Sequence, residues 1–502
     1  MDLFANLLLG FGEAISPMNL LYCFLGVLLG TAIGVLPGLG PLATISMLLP
    51  LTYALGPLPA LIMLAGIYYG AQYGGSTTAI LVNLPGESSS VVTAIDGYQM
   101  ARKGRAGAAL AIAALASVFA GTVSTAVVAA FSPALSEVAL TFGSVEYFSL
   151  MVLGLIAAVI LASGTLSKAI GMVLVGLMLG CIGIDVSSGI SRYTFDVLEL
   201  GSGLEFVAIA MGLFAFADIV RNVGDKADAP TRLHAITSLW PNRQEMRDAA
   251  PAAVRGTLLG SLLGILPGGG AAISSFSAYT LEKRISKRPE TFGHGAVAGV
   301  AGPEAANNAA AQTSFIPMLT LGIPSNGVMA LMMGAMMIHN IAPGPQVINS
   351  NPTLFWGLVT SMWIGNVMLI LLNLPLVGIW VKLISVPYRF LYPAILMFCI
   401  IGLYSIQNQI FEIIVAAVFG AVGYFLIRMR CEPAPLLLGF ILGPMLEEHL
   451  RRALLLSRGD ATVFITHPIS AVLLGISVLL LLTVLLPGIR RKREQVFAEE
   501  DT

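Results

Sequence analysis

Charge is what this 502-residue chain has least of: Asp, Glu, Lys and Arg make up 11% of it, where a water-facing skin calls for about a quarter. With 57% hydrophobic residues and a mean hydropathy of +0.87, that scarcity excludes an ordinary soluble domain and places the chain in a lipid bilayer. A formal net charge of −1, without any basic stripe interleaved with aromatics, leaves no footprint for a nucleic-acid partner. Cysteine is also scarce. Cys23, Cys181, Cys399 and Cys431 lie far apart, mostly in apolar runs, and read as reduced packing residues. The histidines His234, His294, His339, His449 and His467 show no ligand spacing and no HExxH pattern. His339, just past an interrupted segment, is the one candidate among them for proton coupling. No GxxxxGK[ST] loop occurs, which argues against ATP coupling within the chain, and the N-terminus has no basic leader-like region.

What is present is apolar sequence in continuous rather than alternating runs, so helices are expected and not a barrel. Segments of roughly 20 apolar residues fall near 18–36, 57–82, 106–131, 145–163, 166–184, 202–220, 252–280, 305–342 with a break, 353–384, 389–405, 411–430 and 467–487. The expected fold is an all-α polytopic membrane protein of about 12 transmembrane helices, some of them broken or re-entrant. Leu3, Phe4, Leu7, Leu8 and Phe11 have helical spacing that suits a membrane-surface helix before Pro17.

The most informative phrase is written twice, as GVLPGLG at Gly34–Gly40 and GILPGGG at Gly264–Gly270. A second pair of breaks follows, NLPGESSS at Asn83–Ser90 and LGIPSNG at Leu321–Gly327, with Pro85 answered by Pro324. The spacing from phrase to break is nearly the same in both halves. Two related halves with paired interruptions form the pattern of a secondary transporter whose binding site lies between repeats. The basic residues order the halves. Arg102, Lys103 and Arg105 follow the second break of the first half, whereas Lys283, Arg284, Lys287 and Arg288 lie between the two breaks of the second half. If both clusters face the cytoplasm, equivalent connectors lie on opposite sides and the repeats are inverted. The expected organisation is a first repeat over 1–220, a cytoplasmic linker over 221–250, a second repeat over 251–490 and a cytoplasmic tail over 491–502. Glu447–Asp460 is amphipathic and carries both signs.

A helix that begins in mid-membrane presents unpaired N–H groups and the positive end of its dipole, which is an anion site without a basic side chain. No Lys or Arg occurs from Met1 to Ala101, or between Pro289 and Val381. An anionic substrate is therefore expected to meet backbone amides and hydroxyls at the breaks. Pro85 and Pro324 are placed at first helical positions, where a missing N–H is harmless. The candidate substrate-binding residues are Gly38, Gly40, Asn83, Gly86, Ser88, Ser89 and Ser90 in the first half, and Gly268, Gly269, Gly270, Ser325 and Asn326 in the second. Glycine lets a ligand approach the backbone, although close helix packing also favours it.

Polar, small-residue stretches precede the second breaks, YYGAQYGGSTT at Tyr68–Thr78 and NNAAAQTS at Asn307–Ser314. Ser76, Thr77, Asn307, Asn308, Gln312, Thr313 and Ser314 are candidate oxygen ligands for a sodium ion, with interhelical hydrogen bonding as the alternative use. Glu87 and Glu304 are candidate coupling carboxylates, or else acids that stabilise helix N-termini. Because a carboxylate repels an anionic substrate, neither is expected to touch it. No cofactor is implied beyond Na+ or H+ as coupling ion.

GVLPGLGP at Gly34–Pro41, YYGAQYGGSTTAILVNLPGESSSVVTAIDGY at Tyr68–Tyr98, GILPGGG and GPEAANNAAAQTSFIPMLTLGIPSN at Gly302–Asn326 resemble the large membrane subunit of tripartite tricarboxylate transporters, TctA, across almost the whole chain. The resemblance implies a multi-pass permease of the bacterial inner membrane. It also implies a periplasmic solute-binding protein and a small four-helix membrane subunit as partners, and a cation gradient, usually sodium, as the energy source. The competing classes are a channel with a selectivity filter made by the breaks and an intramembrane enzyme, for which no nucleophile and base, metal motif or carboxylate pair is present.

Overall fold

The computed structural model describes residues 3–36, 40–83, 86–162, 165–185, 188–224, 239–266, 270–384 and 388–485. Gly38, Pro85, Gly268 and Gly269, positions 225–238 of the expected linker and the C-terminal tail lie outside them. The protein is all-α, and the one β feature among the described residues is a two-residue antiparallel pair, Gly183–Ile184 with Ser191–Arg192. Helices occupy each of the expected apolar segments. Among the described residues four of them, Pro17–Gly34, Ser88–Ala139, Pro352–Asn373 and Phe411–Arg428, are long and apolar enough to cross a membrane, and other apolar helices are shorter. Ala434–Leu456, not drawn as a span from the sequence, is a further helix whose first half is buried.

Each interruption has a local cause. Helix Pro17–Gly34 stops at the first phrase, and helix Pro41–Thr52 starts behind Gly40, which is extended, with Pro41 in its first turn. In the second half Arg243–Ile265 gives way to Ala271–Ile285 behind Gly270, whose φ of 22° disfavours a side chain. Helix Pro57–Val82 ends on Asn83 in the left-handed conformation (φ 59°, ψ 28°), as asparagine permits. A short turn at Ser88–Ser90 then opens helix Val91–Met100. The matching place in the second half is Gly322 (φ 70°, ψ 27°) after Phe315–Leu321, and the next helix is Gly327–Ile338 with Asn326 as its N-cap. Pro324 therefore sits in the extended link before the cap. The expected first-turn position is wrong because Asn326, whose Oδ1 accepts from the Met329 amide at 3.0 Å, supplies the stronger start signal.

One set of glycine contacts in the first half recurs in the second. A methyl group on Gly26, Gly30 or Gly34 would lie 2.2, 2.4 or 2.3 Å from the carbonyl oxygens of Met63, Ile67 and Ala71. Gly264 opens the second phrase as Gly34 opens the first, and Gly256 and Gly260 stand before it as Gly26 and Gly30 stand before Gly34. A methyl group on Gly256, Gly260 or Gly264 would lie 2.2, 2.2 or 2.4 Å from the carbonyl oxygens of Gly302, Ala306 and Ala310, the counterparts of Met63, Ile67 and Ala71. These glycine ladders let helix backbones touch, the packing that replaces the hydrophobic effect in membranes. Back-bonds repeat too: Thr44 donates to the Gly40 carbonyl at 2.9 Å, and Ser274 to that of Gly270 at 2.9 Å.

The halves join through an alanine-rich apolar cluster that includes Ala106, Ala109, Ala113, Ala252, Ala301 and Ala305. A polar latch reinforces it. Buried Asp96 accepts from the amides of Gly293, Gly295 and Ala296 at 2.9, 2.7 and 2.8 Å, and from the Tyr279 hydroxyl at 3.0 Å. The carboxylate thereby ties helix 91–100 to the loop that opens helix Ala298–Thr313.

Candidate functional site

Four helix starts, two from each half, face one cavity of about 580 Å3. Gly40 and Pro41, Gly86 to Ser89, Gly270 to Ile273, and Asn326 to Val328 all line it. Every one of these helix N-termini brings N–H groups that have no partner inside their own helix, so the cavity collects positive dipole ends. Its size is that of a small-molecule site.

Glycine makes the convergence possible. A Cβ on Gly86 would lie 2.5 Å from the Gly34 carbonyl oxygen and 2.5 Å from the Gly75 Cα. The second break thus rests directly on the end of the first-phrase helix. Gly86 donates to the Gly75 carbonyl at 3.5 Å, and at the equivalent place in the other half the Ser325 hydroxyl donates to the Ser314 carbonyl at 3.3 Å.

Of the sequence-derived substrate residues, Gly40, Gly86, Ser88, Ser89, Gly270 and Asn326 line the cavity. Asn83 is the exposed left-handed cap of its helix, Ser90 closes the following turn through the Glu87 backbone, and Ser325 is buried on Ser314. These three hold the breaks in shape without lining the cavity. Glu87 lines it as well, with the Ser89 hydroxyl donating to its Oε1. It reaches the wall because it occupies the cap position of the turn.

The sequence reading missed several residues. Tyr68 and Gln72 reach the cavity wall from helix 57–82; Gln72 and Asn326 lie near the Tyr68 hydroxyl, yet among the described residues neither amide atom of fully buried Gln72 nor the Asn326 Nδ2 has a partner in hydrogen-bonding geometry. Unmet donors and acceptors at a cavity wall are what a polar ligand satisfies. Asp218 and Arg221, from helix Ala217–Gly224, also line it. The site is therefore not free of basic side chains. Arg221 comes from a helix remote in sequence from the phrases, so only tertiary assembly reveals it. His339 ends helix 327–338 and is not part of the wall.

The expected sodium ligands do not form one group. Ser76 donates to Glu304 Oε1 at 2.7 Å, the Thr93 hydroxyl donates to the same oxygen, and Ser117 lies 3.5 Å from Oε2. Asn308 joins this cluster by donating to the Ser117 hydroxyl at 2.7 Å. Thr77, Thr313 and Ser314 instead donate to carbonyls of their own helices at 3.0, 3.0 and 2.7 Å. Asn307 lies near Glu87 but outside hydrogen-bonding geometry, so both its amide atoms, and Gln312 Oε1, are buried without partners. Helical periodicity explains the split: neighbouring positions such as 307 and 308 point about 100° apart.

Residues 20–438 match the family described as the tripartite tricarboxylate transporter TctA family. An uncharacterized 52.8 kDa protein in the TAR-I ttuC' 3' region of Agrobacterium vitis is 59% identical over 501 residues, which is 100% of both chains. An uncharacterized protein in the TAR-II ttuC' 3' region of the same organism is 62% identical over 242 residues, 48% of this chain and 100% of that one. No solved structure matches.

Proposed function

Because the chain belongs to the tripartite tricarboxylate transporter TctA family, a multi-pass membrane transporter family, we propose that it is the permease of a binding-protein-dependent system that imports a di- or tricarboxylate by cation symport. The observation that carries this reading is the convergence of four helix starts from two matching halves on one cavity. Main-chain amides of Leu42 and Ala43 and of Ala272 and Ile273, with the Ser89 and Asn326 side chains, hold the carboxylates. Gln72 and Tyr68 meet the hydroxyl or second carboxylate from the side. Glu87 in the same wall requires a proton or cation for the anion to settle, which links substrate binding to cation binding.

The halves act as inverted repeats, 1–220 and 251–490, joined by the cytoplasmic segment 221–250, in about a dozen spans. Arg221, Ile427 and Glu432 line the cavity, close in sequence to Arg428 and Arg430. By the positive-inside rule the wall they form is cytoplasmic, and the cavity opens to the cell interior. Alternating access then moves the phrase-bearing helices against the remainder. A soluble periplasmic receptor delivers the carboxylate, and a small four-helix subunit completes the complex in the bacterial inner membrane.

Reconstitution tests the reading. Labelled mono-, di- and tricarboxylates are offered to proteoliposomes holding the permease, its small subunit and its binding protein, with and without a sodium gradient. Accumulation of a di- or tricarboxylate against its gradient, dependent on sodium, is the expected result. Passive equilibration with unitary currents would make the protein a channel instead.

A further inference from the structure

A second, smaller space lies beside Glu304, away from the four helix starts. It is a void of about 20 Å3, lined by Tyr73, Ser76 and Thr77 of helix 57–82, Leu110, Ala113 and Ala114 of helix 106–139, Glu304 of helix 298–313, and Asn373 with Leu374 and Val377. That volume suits a single water or a single small ion. The Glu304 side chain is 1% exposed and, among the described residues, has no ion-pair partner; hydroxyls alone attend it. A buried carboxylate without a counter-charge is costly. The Asn373 Oδ1, in a residue more than nine-tenths buried, has no donor among the described residues, while its Nδ2 is spent on the Leu369 carbonyl at 2.9 Å.

We propose that this void is a dedicated sodium site in which Glu304 supplies the neutralising charge and Ser76, Thr77, Asn373 and Tyr73 supply neutral oxygens. The proposal rests on the symport reading and adds where the cation sits. Ser76 directs its hydrogen to Glu304 and Tyr73 directs its own to the Ala114 carbonyl at 3.2 Å, so oxygen lone pairs on both remain for a cation. Hard monovalent cations take oxygen ligands, and one carboxylate balances one positive charge. A divalent ion would call for more carboxylates or for retained water; the described lining has the single carboxylate of Glu304, and about 20 Å3 leaves no room for an ion with its water.

The site connects to the substrate cavity through one helical turn. Thr93, which donates to Glu304, stands one turn after Ser89, which lines the cavity. A cation that fixes the Glu304 carboxylate fixes Thr93, and with it the helix start that presents Ser89. Cation occupancy thus pre-organises the anion site from outside it.

The experiment is thermal unfolding of the full-length protein in lipid nanodiscs against NaCl, with KCl and choline chloride at equal ionic strength. The wild type is expected to show a saturable rise in melting temperature with sodium alone. Glu304→Gln, and independently Asn373→Leu, should raise the half-saturating sodium concentration by at least about tenfold, while Asn326→Leu in the substrate cavity leaves it unchanged. A wild-type sodium response retained in both Glu304→Gln and Asn373→Leu would overturn the assignment, as would a wild type without any sodium-specific rise. Sodium-dependent uptake with an unaltered Glu304→Gln titration would retain symport and remove this site. Sodium-independent uptake would remove sodium as the coupling cation and this site with it.

Discussion

Glu87 and Asn326 occupy one position in two copies of the same turn: their backbones are at φ −147°, ψ 168° and φ −156°, ψ 176°, and both line the same cavity. One half presents an acid there and the other an amide. Under the proposed function that asymmetry gives the repeated turn two roles, with Asn326 a donor to substrate and Glu87 a group whose charge must be neutralised.

Asn326→Asp keeps the cap acceptor but adds a negative charge to the cavity wall. Its melting temperature should stay close to wild type, while the KM for the transported carboxylate rises at least tenfold. Asn326→Leu loses the cap, at a cost of about 0.5–2 kcal/mol, and the donor together, so both stability and uptake fall. Initial uptake rates in proteoliposomes and thermal melts separate the two effects.

Gly30→Ala and Gly260→Ala place a methyl group 2.4 and 2.2 Å from the carbonyl oxygens of Ile67 and Ala306. Neither backbone can retreat without opening a helix pair, so each should lose about 1–3 kcal/mol, read as a lower melting temperature and poorer yield of monodisperse protein. Gly12→Ala and Gly171→Ala, where nothing lies within 4 Å, should behave like wild type. Equal sensitivity at all four positions would contradict the ladder packing.

Arg221 at the cavity edge, with Asp218 one helical turn before it, is expected to meet a carboxylate on its way to the cytoplasm. Arg221→Gln should raise the KM for tricarboxylates several-fold more than for monocarboxylates, and flatten the dependence of uptake on ionic strength. An equal effect across the carboxylate panel would assign Arg221 to folding alone.

Outside the membrane-spanning segments, Glu245 binds Arg105, whose Nε is 3.0 Å from Oε1, and receives the Asn242 amide at 2.7 Å. Burial works against its charge, but the Arg105 guanidinium and that amide outweigh it and hold the Glu245 carboxyl below the usual carboxylate range. Its folded pKa lies below the unfolded one. The contribution is therefore complete above the unfolded value and is lost as pH falls through the folded value. Melting temperature measured from neutral to acid pH should fall less steeply in Glu245→Gln than in wild type, from a neutral-pH value lower by the equivalent of at most about 1 kcal/mol.

Much of the fold was legible because membrane helices write themselves as apolar runs, and because Pro-Gly phrases at matching offsets betray paired breaks. The glycine ladder at 26, 30 and 34 and its copy at 256, 260 and 264 were equally open to reading, since both carry the four-residue spacing of one helix face. The rest needed three dimensions. Ser76 and Glu304 meet although they stand in different halves of the chain, and no local pattern announces that Thr93 or Asn373 completes their surroundings. Thr313 and Ser314 read as ligands by composition, and in the fold they donate to carbonyls one turn back, apart from the hydroxyls gathered at Glu304. Helix 434–456 escaped notice as a span because its second half is charged, with Arg451 and Glu447 paired at 2.6 Å.

The most direct measurement is an electron cryomicroscopy map of the permease frozen with a carboxylate that it transports. The expected result is that ligand in the cavity, its oxygens within hydrogen-bond reach of the amides at 42–43 and 272–273 and of Ser89 and Asn326. A ligand bound elsewhere, or four helix starts that no longer share a cavity, would contradict a carboxylate site built from paired helix interruptions.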